Sequence, residues 1–323
     1  MLQGFAIEDG RLRLLATPFA SLDRLVWIDL LNPTEEEERA VEAALGLEVP
    51  TRDEMQEIED SSRVYTDAGA AVMTLDLPVQ VESDDPVLAP VTFILVGERL
   101  VTVRYHDPRV FRSFAVRSER LDLDCSDGFS ALLSLLEIVV DRLADILEEV
   151  GREIDQVSRA VFRPPPQEKK GGPDYQAVLR RIGRAGGLVS NAGDSLVTLE
   201  RVLVFLTATS AARPASKGAK VRLKALARDT HFLTEHTGSL TQKLNFLLDA
   251  TLGMISIEQN TIIKIFSVAA VIFLPPTLVA SIYGMNFDVM PELHWLFGYP
   301  FALGLMVASA VVSYWLFRSR GWL

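Results

Sequence analysis

The most informative part of this sequence is the run Lys264-Ile-Phe-Ser-Val-Ala-Ala-Val-Ile-Phe-Leu-Pro-Pro-Thr-Leu-Val-Ala-Ser-Ile-Tyr-Gly-Met-Asn-Phe287. It contains no charged side chain after Lys264, and a helix of about 20 apolar residues can cross the hydrocarbon core of a bilayer. The run also contains hydroxyl side chains, a Pro275-Pro276 pair and a Tyr283-Gly-Met-Asn286 ending. A helix that only anchors a domain needs none of these, so we predict that this segment lines a path for something polar.

Charge divides the chain into two parts. The 323 residues include 43 acids and 32 bases, with a net charge of -11, yet beyond Lys264 the charged residues are only Asp288, Glu292, Arg318 and Arg320. The acidic excess before this point argues against a nucleic-acid partner, because phosphate binding needs a basic surface, and it leaves cation binding open. A single cysteine excludes an internal disulfide and a cysteine-based zinc site. The first residues lack a basic segment followed by an apolar run, so we expect no secretory signal.

Residues 1–127 are predicted to form an α/β domain. Short apolar runs, the last at 25–31, are typical of strands, and the pattern returns at 63–105. Between them Thr34 precedes four glutamates, which predicts a capped helix start because acids stabilise the positive end of the helix dipole. A break at Gly97-Glu98-Arg99 predicts a hairpin. Strands flanked by helices indicate an α/β arrangement.

Residues 128–218 are predicted to form a helical hairpin. Apolar residues recur every three or four positions over 128–162, a proline- and glycine-rich loop follows at 163–173, and a second helix is predicted over 174–209. No strong helix breaker then appears until Pro275, so residues 219–286 are predicted to form a stalk helix that continues into the first membrane span. A seven-residue spacing relates Leu226, Leu233, Leu240, Leu247 and Met254. This spacing indicates packing against other helices, and self-association is the simplest explanation.

A second apolar run within 300–323 ends near Arg318 and Arg320, whereas the connecting segment 287–299 has no lysine or arginine. Bases favour the cytoplasmic side of a membrane. We therefore predict a multi-pass protein of the cell (inner) membrane with both termini in the cytoplasm and the loop 287–299 outside.

One face of the first membrane helix is small and polar. At a seven-residue repeat, two adjoining rows carry Asn260, Ser267, Leu274 and Ser281, and Ile263, Ala270 and Thr277. Continued backwards, the second row reaches Asp249 and Glu235. A row facing lipid would be large and apolar, so the pattern is that of a pore wall around a symmetry axis. Close helix packing, with Ser and Thr bonding locally, explains it equally well.

The membrane span contains no carboxylate. Mg²⁺ holds its water tightly and usually keeps several molecules, so a hydrated ion is the expected cargo. Neutral oxygens that could hydrogen-bond to its water are those of Asn286, Thr277 and Asn260. Apolar constrictions that gate by dewetting could form at Leu274, Ile263 and Phe266. The histidines show no metal-ligand spacing and no nucleophile motif is present, so we predict no enzyme activity.

The apolar run closely resembles the CorA magnesium/cobalt transporter family, and further motifs extend the resemblance over the whole chain. These are Met290-Pro-Glu-Leu293, Phe297-Gly-Tyr-Pro300, Gly321-Trp-Leu323, Trp27-Ile-Asp-Leu-Leu-Asn-Pro33 and Pro50-Thr-Arg52. The resemblance implies a homopentameric, funnel-shaped cation channel of class α+β, with two transmembrane helices per subunit. It implies an ion-selective pore mouth at Tyr283, Gly284, Met285 and Asn286, with Glu292 in the adjacent loop.

The resemblance also implies pore-lining positions, which are Asp249, Asn260, Ile263, Phe266, Leu274 and Thr277. It implies closure by cytoplasmic Mg²⁺ at acidic residues between subunits, for which Asp229 and Glu235 are weak candidates. Ser281 stands where some members have glycine. The Met-Pro-Glu-Leu motif after Gly-Met-Asn favours the magnesium branch over the zinc branch.

We therefore predict influx of hydrated Mg²⁺, with Co²⁺ and Ni²⁺ as surrogates, driven by membrane potential and gated by intracellular Mg²⁺. The expected partners are further copies of the chain, the lipid bilayer and divalent cations, and no organic cofactor is expected. Two alternatives are a zinc transporter of the same superfamily and a membrane-anchored cation sensor that conducts nothing. A tethered enzyme has no motif in its support.

Overall fold

A computed structural model of the chain describes residues 1–8, 11–15, 24–57, 59–83, 85–120, 125–162, 174–212, 217–286, 290–291 and 295–320. The described chain forms two compact units, Met1–Leu248 and Asp249–Leu323. The predicted domain boundaries at 127, 218, 286 and 299 stay predictions.

The first unit contains a mixed sheet followed by long helices. Its strands are β1 (Leu2–Glu8), β2 (Arg11–Leu14), β3 (Trp27–Leu31), β4 (Val64–Asp67), β5 (Ala70–Val79), β6 (Val87–Val96) and β7 (Arg99–Arg104). Its helices are α1 (Glu35–Leu45), α2 (Asp60–Arg63), α3 (Arg109–Arg120), α4 (Gly128–Phe162) and α5 (Tyr175–Ala212), with a short 3₁₀ turn at Glu54–Gln56. The described elements confirm the predicted alternation of strands and helices.

The sheet has the order β2-β1-β3-β7-β6-β5-β4. Its neighbours are antiparallel except β3 and β7, which are parallel and pair Trp27 with Leu100. The predicted hairpin is present: Val96 pairs with Arg99, and Gly97 provides a positive φ of 57° at the turn. The predicted helix start is also present, because the Thr34 hydroxyl accepts from Glu37 N at 3.3 Å and the Glu37 carboxylate accepts from Thr34 N at 3.0 Å.

A buried ion pair ties β3 to β7. The Arg104 guanidinium donates to the Asp29 carboxylate at 2.8 Å, and the two side chains are 5% and 1% exposed. The Thr102 hydroxyl also donates to Asp29, at 2.7 Å, and accepts from the Trp27 indole at 3.0 Å. Burial is the largest single influence and lowers the pKa of Arg104, but the hydrogen bonds and negative charges of Asp29 and Asp107 together outweigh it, so the pKa is raised. The two charges therefore compensate each other in a site with little water.

Helix α4 confirms the predicted range of 128–162. Its apolar face is buried, including Leu136, Val139 and Leu143. Its first residue, Gly128, lies against the β6–β7 turn, where its N–H donates to Glu98 O at 2.6 Å. A Cβ on Gly128 would lie 2.7 Å from Arg99 Cα, so only glycine fits there without displacement.

Helix α6 (Lys217–Tyr283) confirms the predicted long helix, although it begins two residues before the predicted start at 219 and ends three residues before the predicted end at 286. At 1.5 Å per residue, its 67 residues extend for about 100 Å. Three members of the seven-residue leucine row, Leu226, Leu240 and Leu247, are buried within the single chain. These three residues pack within the single chain, so the spacing by itself does not require a second copy, and self-association stays a prediction.

The second unit contains the remainder of α6 and helix α7 (Gly298–Ser319). Among the described residues, two helices are long and apolar enough to span a membrane, Gly218–Tyr283 and Gly298–Ser319, with mean hydropathies of 2.2 and 1.7 in their most apolar windows. Their side chains are mainly exposed in the single chain: Phe273 is 69% and Val307 63% exposed. A bilayer or further protein must therefore cover these helices.

Candidate functional site

The predicted pore-mouth residues, Tyr283 to Asn286, lie at the C-terminal end of helix α6. Tyr283 is the last helical residue, and the chain then turns, since Gly284 N donates to Ala280 O at 2.9 Å and Met285 N to Ile282 O at 3.3 Å. Asn286 follows and is exposed, and its amide has no hydrogen-bond partner among the described residues. The amide is thus available to a polar group from outside the chain. Glu292 lies outside the described residues.

The predicted pore residues share one side of α6. At 100° per residue, the arc they occupy covers about 120°. All are exposed in the single chain: Asp249, Asn260, Ile263, Phe266, Ser267, Ala270, Leu274, Thr277 and Ser281. The least exposed positions between 268 and 279 lie on the opposite arc: Val268, Ala269, Ile272, Pro275, Pro276 and Val279. The helix therefore leaves the predicted pore face uncovered and turns its more buried face the other way.

The hydroxyl of Thr277 bonds locally. It donates to Phe273 O at 2.7 Å, as the alternative explanation by close helix packing expects. However, this bond uses the proton and leaves the oxygen lone pairs free to accept. Water molecules bound to a cation direct their hydrogens outward, so a hydrated ion needs acceptors on the wall. Thr277 can serve as one even while it is bonded to the helix.

The proline pair does not end the helix. Pro275 and Pro276 lie inside α6, which continues for seven residues beyond them to Tyr283. Prolines lack the N–H that would bond to the carbonyl four residues earlier, so Val271 and Ile272 lose their ordinary backbone donors. The polar row nevertheless stays on one continuous helix as far as Ser281.

The candidate regulatory acids are not assembled into a site within the described chain. Asp229 lies 3.8 Å from Arg228, and Glu235 lies 3.7 Å from His231. Among the described residues, no group of three or more His, Cys, Asp or Glu side chains could hold a metal ion. A regulatory cation at Asp229 or Glu235 would therefore need further ligands from elsewhere.

Residues 23–319 match the sequence model of a family described as CorA-like Mg²⁺ transporter protein. The chain belongs to this family. Its relatives include "Magnesium transport protein CorA" of Pasteurella multocida (strain Pm70), 38% identical, and of Escherichia coli (strain K12), 36% identical; each comparison spans 324 aligned residues and 100% of both chains.

Solved structures show the same fold. "The complete structure of CorA magnesium transporter from Methanocaldococcus jannaschii" matches with a TM-score of 0.76 at 21% identity, over 100% of this chain and 99% of that one. The full-length CmaX protein matches with a TM-score of 0.69 at 15% identity, over 99% and 97%. The CorA-like architecture of an N-terminal α/β domain, a long helix and two apolar C-terminal helices is thus confirmed. Membership in a transporter family also supports the prediction that the chain is not an enzyme.

The sequence patterns did not single out Arg142, a half-buried base that interrupts the apolar face of α4 between Val139 and Leu143. The available signal was the position of this base at the spacing of buried residues, where an arginine needs a partner.

Proposed function

We propose that the chain is one subunit of a membrane channel that carries hydrated Mg²⁺ into the cell, with Co²⁺ and Ni²⁺ as surrogates. Family membership and the magnesium transport names of full-length relatives support Mg²⁺ as the cargo. Two apolar helices that are exposed in the single chain support a position in the membrane. The distribution of bases supports cytoplasmic termini, and the inner membrane is the location that we propose.

The observation that carries this proposal is the uncovered polar arc of α6. It joins Asn260, Thr277 and Ser281 on one side of a helix that ends at Asn286. No acid or base occurs from Ile265 to Asn286. A stripped Mg²⁺ ion would need about six oxygen ligands in near-octahedral geometry. A wall of neutral acceptors suits an ion that keeps its own water.

Transport of this kind needs no chemical step. A divalent ion gains roughly 4.6 kcal/mol per 100 mV of inside-negative potential, which is twice the single-charge value. Exposed Ile263, Phe266 and Leu274 lie on the same arc as the polar residues. They form apolar rings that close the path by dewetting.

A pore requires several copies of this wall, because one helix face cannot enclose an ion. We propose the homopentamer that the family resemblance implies, with the polar arc of each α6 turned to the axis. Closure by cytoplasmic Mg²⁺ bound between subunits is consistent with the net charge of -11. Asp229 and Glu235 are then ligands shared with a neighbouring copy. A protease digest with and without millimolar Mg²⁺ tests this closure, and identical digestion rates would contradict it.

Replacement of Asn286 tests the proposal most directly. In liposomes, we expect Asn286→Ala to reduce Mg²⁺ uptake at least about tenfold, the effect of losing one hydrogen bond to a charged ligand. The matched control is Thr261→Ala, which removes an exposed polar side chain from the opposite side of α6 and should leave uptake unchanged. Selective Mg²⁺ uptake at the unaltered rate by Asn286→Ala would refute the proposal. Zn²⁺ uptake that rises with external acidity would instead identify a zinc transporter, and zero flux a cation sensor.

A further inference from the structure

A cavity of about 570 Å³ lies in the first unit. It is bounded by the end of β5, the start of α3 and the middle of α4, and its lining includes Leu77, Val79 and Val139. These apolar residues are at most 7% exposed. The volume falls within the usual range of small-molecule sites, about 300–1,000 Å³. The transport path proposed above uses none of the residues that line this cavity.

Three arginines line the cavity: Arg109 and Arg112 on α3, and Arg142 on α4. Arg109 is paired with the Glu82 carboxylate, and both side chains are largely exposed. Arg112 Nε lies 3.3 Å from the Asp107 carboxylate. Both acids therefore already have a counter-charge, so the lining carries an excess of positive charge.

That excess lies at Arg142. No described residue accepts a hydrogen bond from its guanidinium or pairs with it. The side chain is half-buried on α4, next to Leu143 and one turn after Val139, both of which line the cavity and are 1% exposed. A cation that is partly removed from water without an anion is unfavourable. The position of Arg142 is explained if an anion from outside the chain occupies the cavity.

The opposite wall is held in place. Arg104, anchored to Asp29, donates to His106 O at 3.1 Å and to the Asp107 carboxylate at 2.7 Å. This fixes the turn from which α3 begins at Arg109. The positive end of the α3 dipole thus adds to the arginines on that wall. A fixed wall lowers the ordering cost of binding.

We propose that this cavity binds a phosphorylated small molecule of mononucleotide size. A guanidinium group can donate two parallel hydrogen bonds to phosphate oxygens. Arg142 supplies a guanidinium group that has no acidic partner among the described residues. The apolar lining accommodates the organic part of the ligand. This site goes beyond ion transport, and binding to it does not require conduction.

The test is a calorimetric titration of the full-length protein in detergent with adenosine 5′-monophosphate. Free Mg²⁺ is held constant, so chelation by the ligand cannot mimic binding. We expect one saturable site per chain, weakened about 10- to 100-fold by Arg142→Gln, because a charge-assisted hydrogen bond is lost. The matched control is Arg152→Gln, which removes an exposed arginine paired with Glu148 on the same helix and should leave the affinity unchanged.

Adenosine and inorganic phosphate serve as probes of the two halves of the ligand. We expect both to bind more weakly than the monophosphate. Equal affinities of inorganic phosphate and the monophosphate would contradict an organic ligand. Absence of saturation up to about 10 mM, which corresponds to roughly -2.7 kcal/mol, or equal weakening by both arginine variants would overturn the site. Asn286→Ala serves as a further control, because it should impair uptake and leave this titration unchanged.

Discussion

The two units of this protein differ in how far their apolar side chains are exposed. In the first unit, strand residues such as Ile28, Phe93 and Val101 are entirely buried by the chain itself. In the second unit, Phe273 and Val307 are each more than 60% exposed. The first unit therefore carries its own core, whereas the second depends on its surroundings. We therefore expect substitutions in the first unit to alter folding and substitutions in the second unit to alter membrane integration.

The largest effect is expected inside the core of the first unit. Asp29→Ala leaves Arg104 buried beside fewer acceptors, because Asp29 accepts from Arg104 at 2.8 Å in a site 1% exposed. Removing one partner of a buried pair costs about 3–5 kcal/mol. Thermal unfolding of the full chain should show this as a clearly lower Tm. Arg39→Gln, which breaks the exposed Glu35–Arg39 pair, should change the Tm little, and equal shifts for the two variants would contradict this explanation.

The second unit should respond through the membrane. Val307→Lys places a charge on the exposed surface of α7, and a lysine at the centre of a membrane helix costs about 2.5–3.5 kcal/mol. We expect a smaller fraction of the chain to remain in membranes after alkaline extraction. Val116→Lys introduces the same charge at an exposed site on α3 and should not reduce that fraction. Full retention of Val307→Lys would mean that α7 does not contact lipid at this residue.

A smaller effect is expected where α4 meets the β6–β7 turn. Gly128→Ala places a Cβ 2.7 Å from Arg99 Cα, and overpacking of this kind costs about 1–3 kcal/mol. Denaturant unfolding of the first unit should detect this loss of stability. Gly151→Ala is the control on the same helix, because its Cβ would meet only Leu240 Cδ2 at 3.8 Å, and it should be neutral or stabilising. A neutral Gly128→Ala would show that the turn moves aside freely.

The smallest effect is expected at the partly exposed pair between α4 and α5. Arg181 donates to Glu153 at 2.6 Å and thereby lowers the pKa of that carboxyl. The stabilisation should be complete above the ordinary glutamate pKa of about 4.3 and should disappear as the pH falls through the lower folded pKa. With side chains 37% and 36% exposed, the pair contributes less than about 1 kcal/mol. Glu153→Gln should match the native Tm in strong acid and lie slightly below it at neutral pH, whereas a deficit that grows in acid would reverse this assignment.

Local sequence signals predicted helices α1, α4, α5 and α6 and several strands correctly, but they did not predict α3. Helix α4 agrees with the predicted range because its apolar spacing is regular and Gly128 marks its start. The Thr34 cap follows from residues three positions apart. In contrast, the parallel pairing of β3 with β7 joins residues more than 70 positions apart, and no local pattern encodes it. The buried Asp29–Arg104 pair cannot be predicted from local sequence for the same reason.

The leucine spacing on α6 shows a different limit. A seven-residue period shows that one face of a helix is buried but does not show what covers it. We inferred other subunits, yet Leu226, Leu240 and Leu247 are already buried within the single chain. The polar residues of α6 lie on one side of the helix because the helical period alone determines this. Its role as a pore wall stays a prediction, since other copies must provide the remaining walls.

The two prolines in α6 also have a mechanical consequence. Two successive rungs of the hydrogen-bond ladder are missing at Val271 and Ile272, although the helix itself continues to Tyr283. Bending stiffness is therefore lowest in the middle of the apolar run rather than at its ends. A small force applied along the helix will concentrate its curvature there, one turn from Leu274. A segment that lines an apolar part of the proposed path is thus also the most compliant part of the helix.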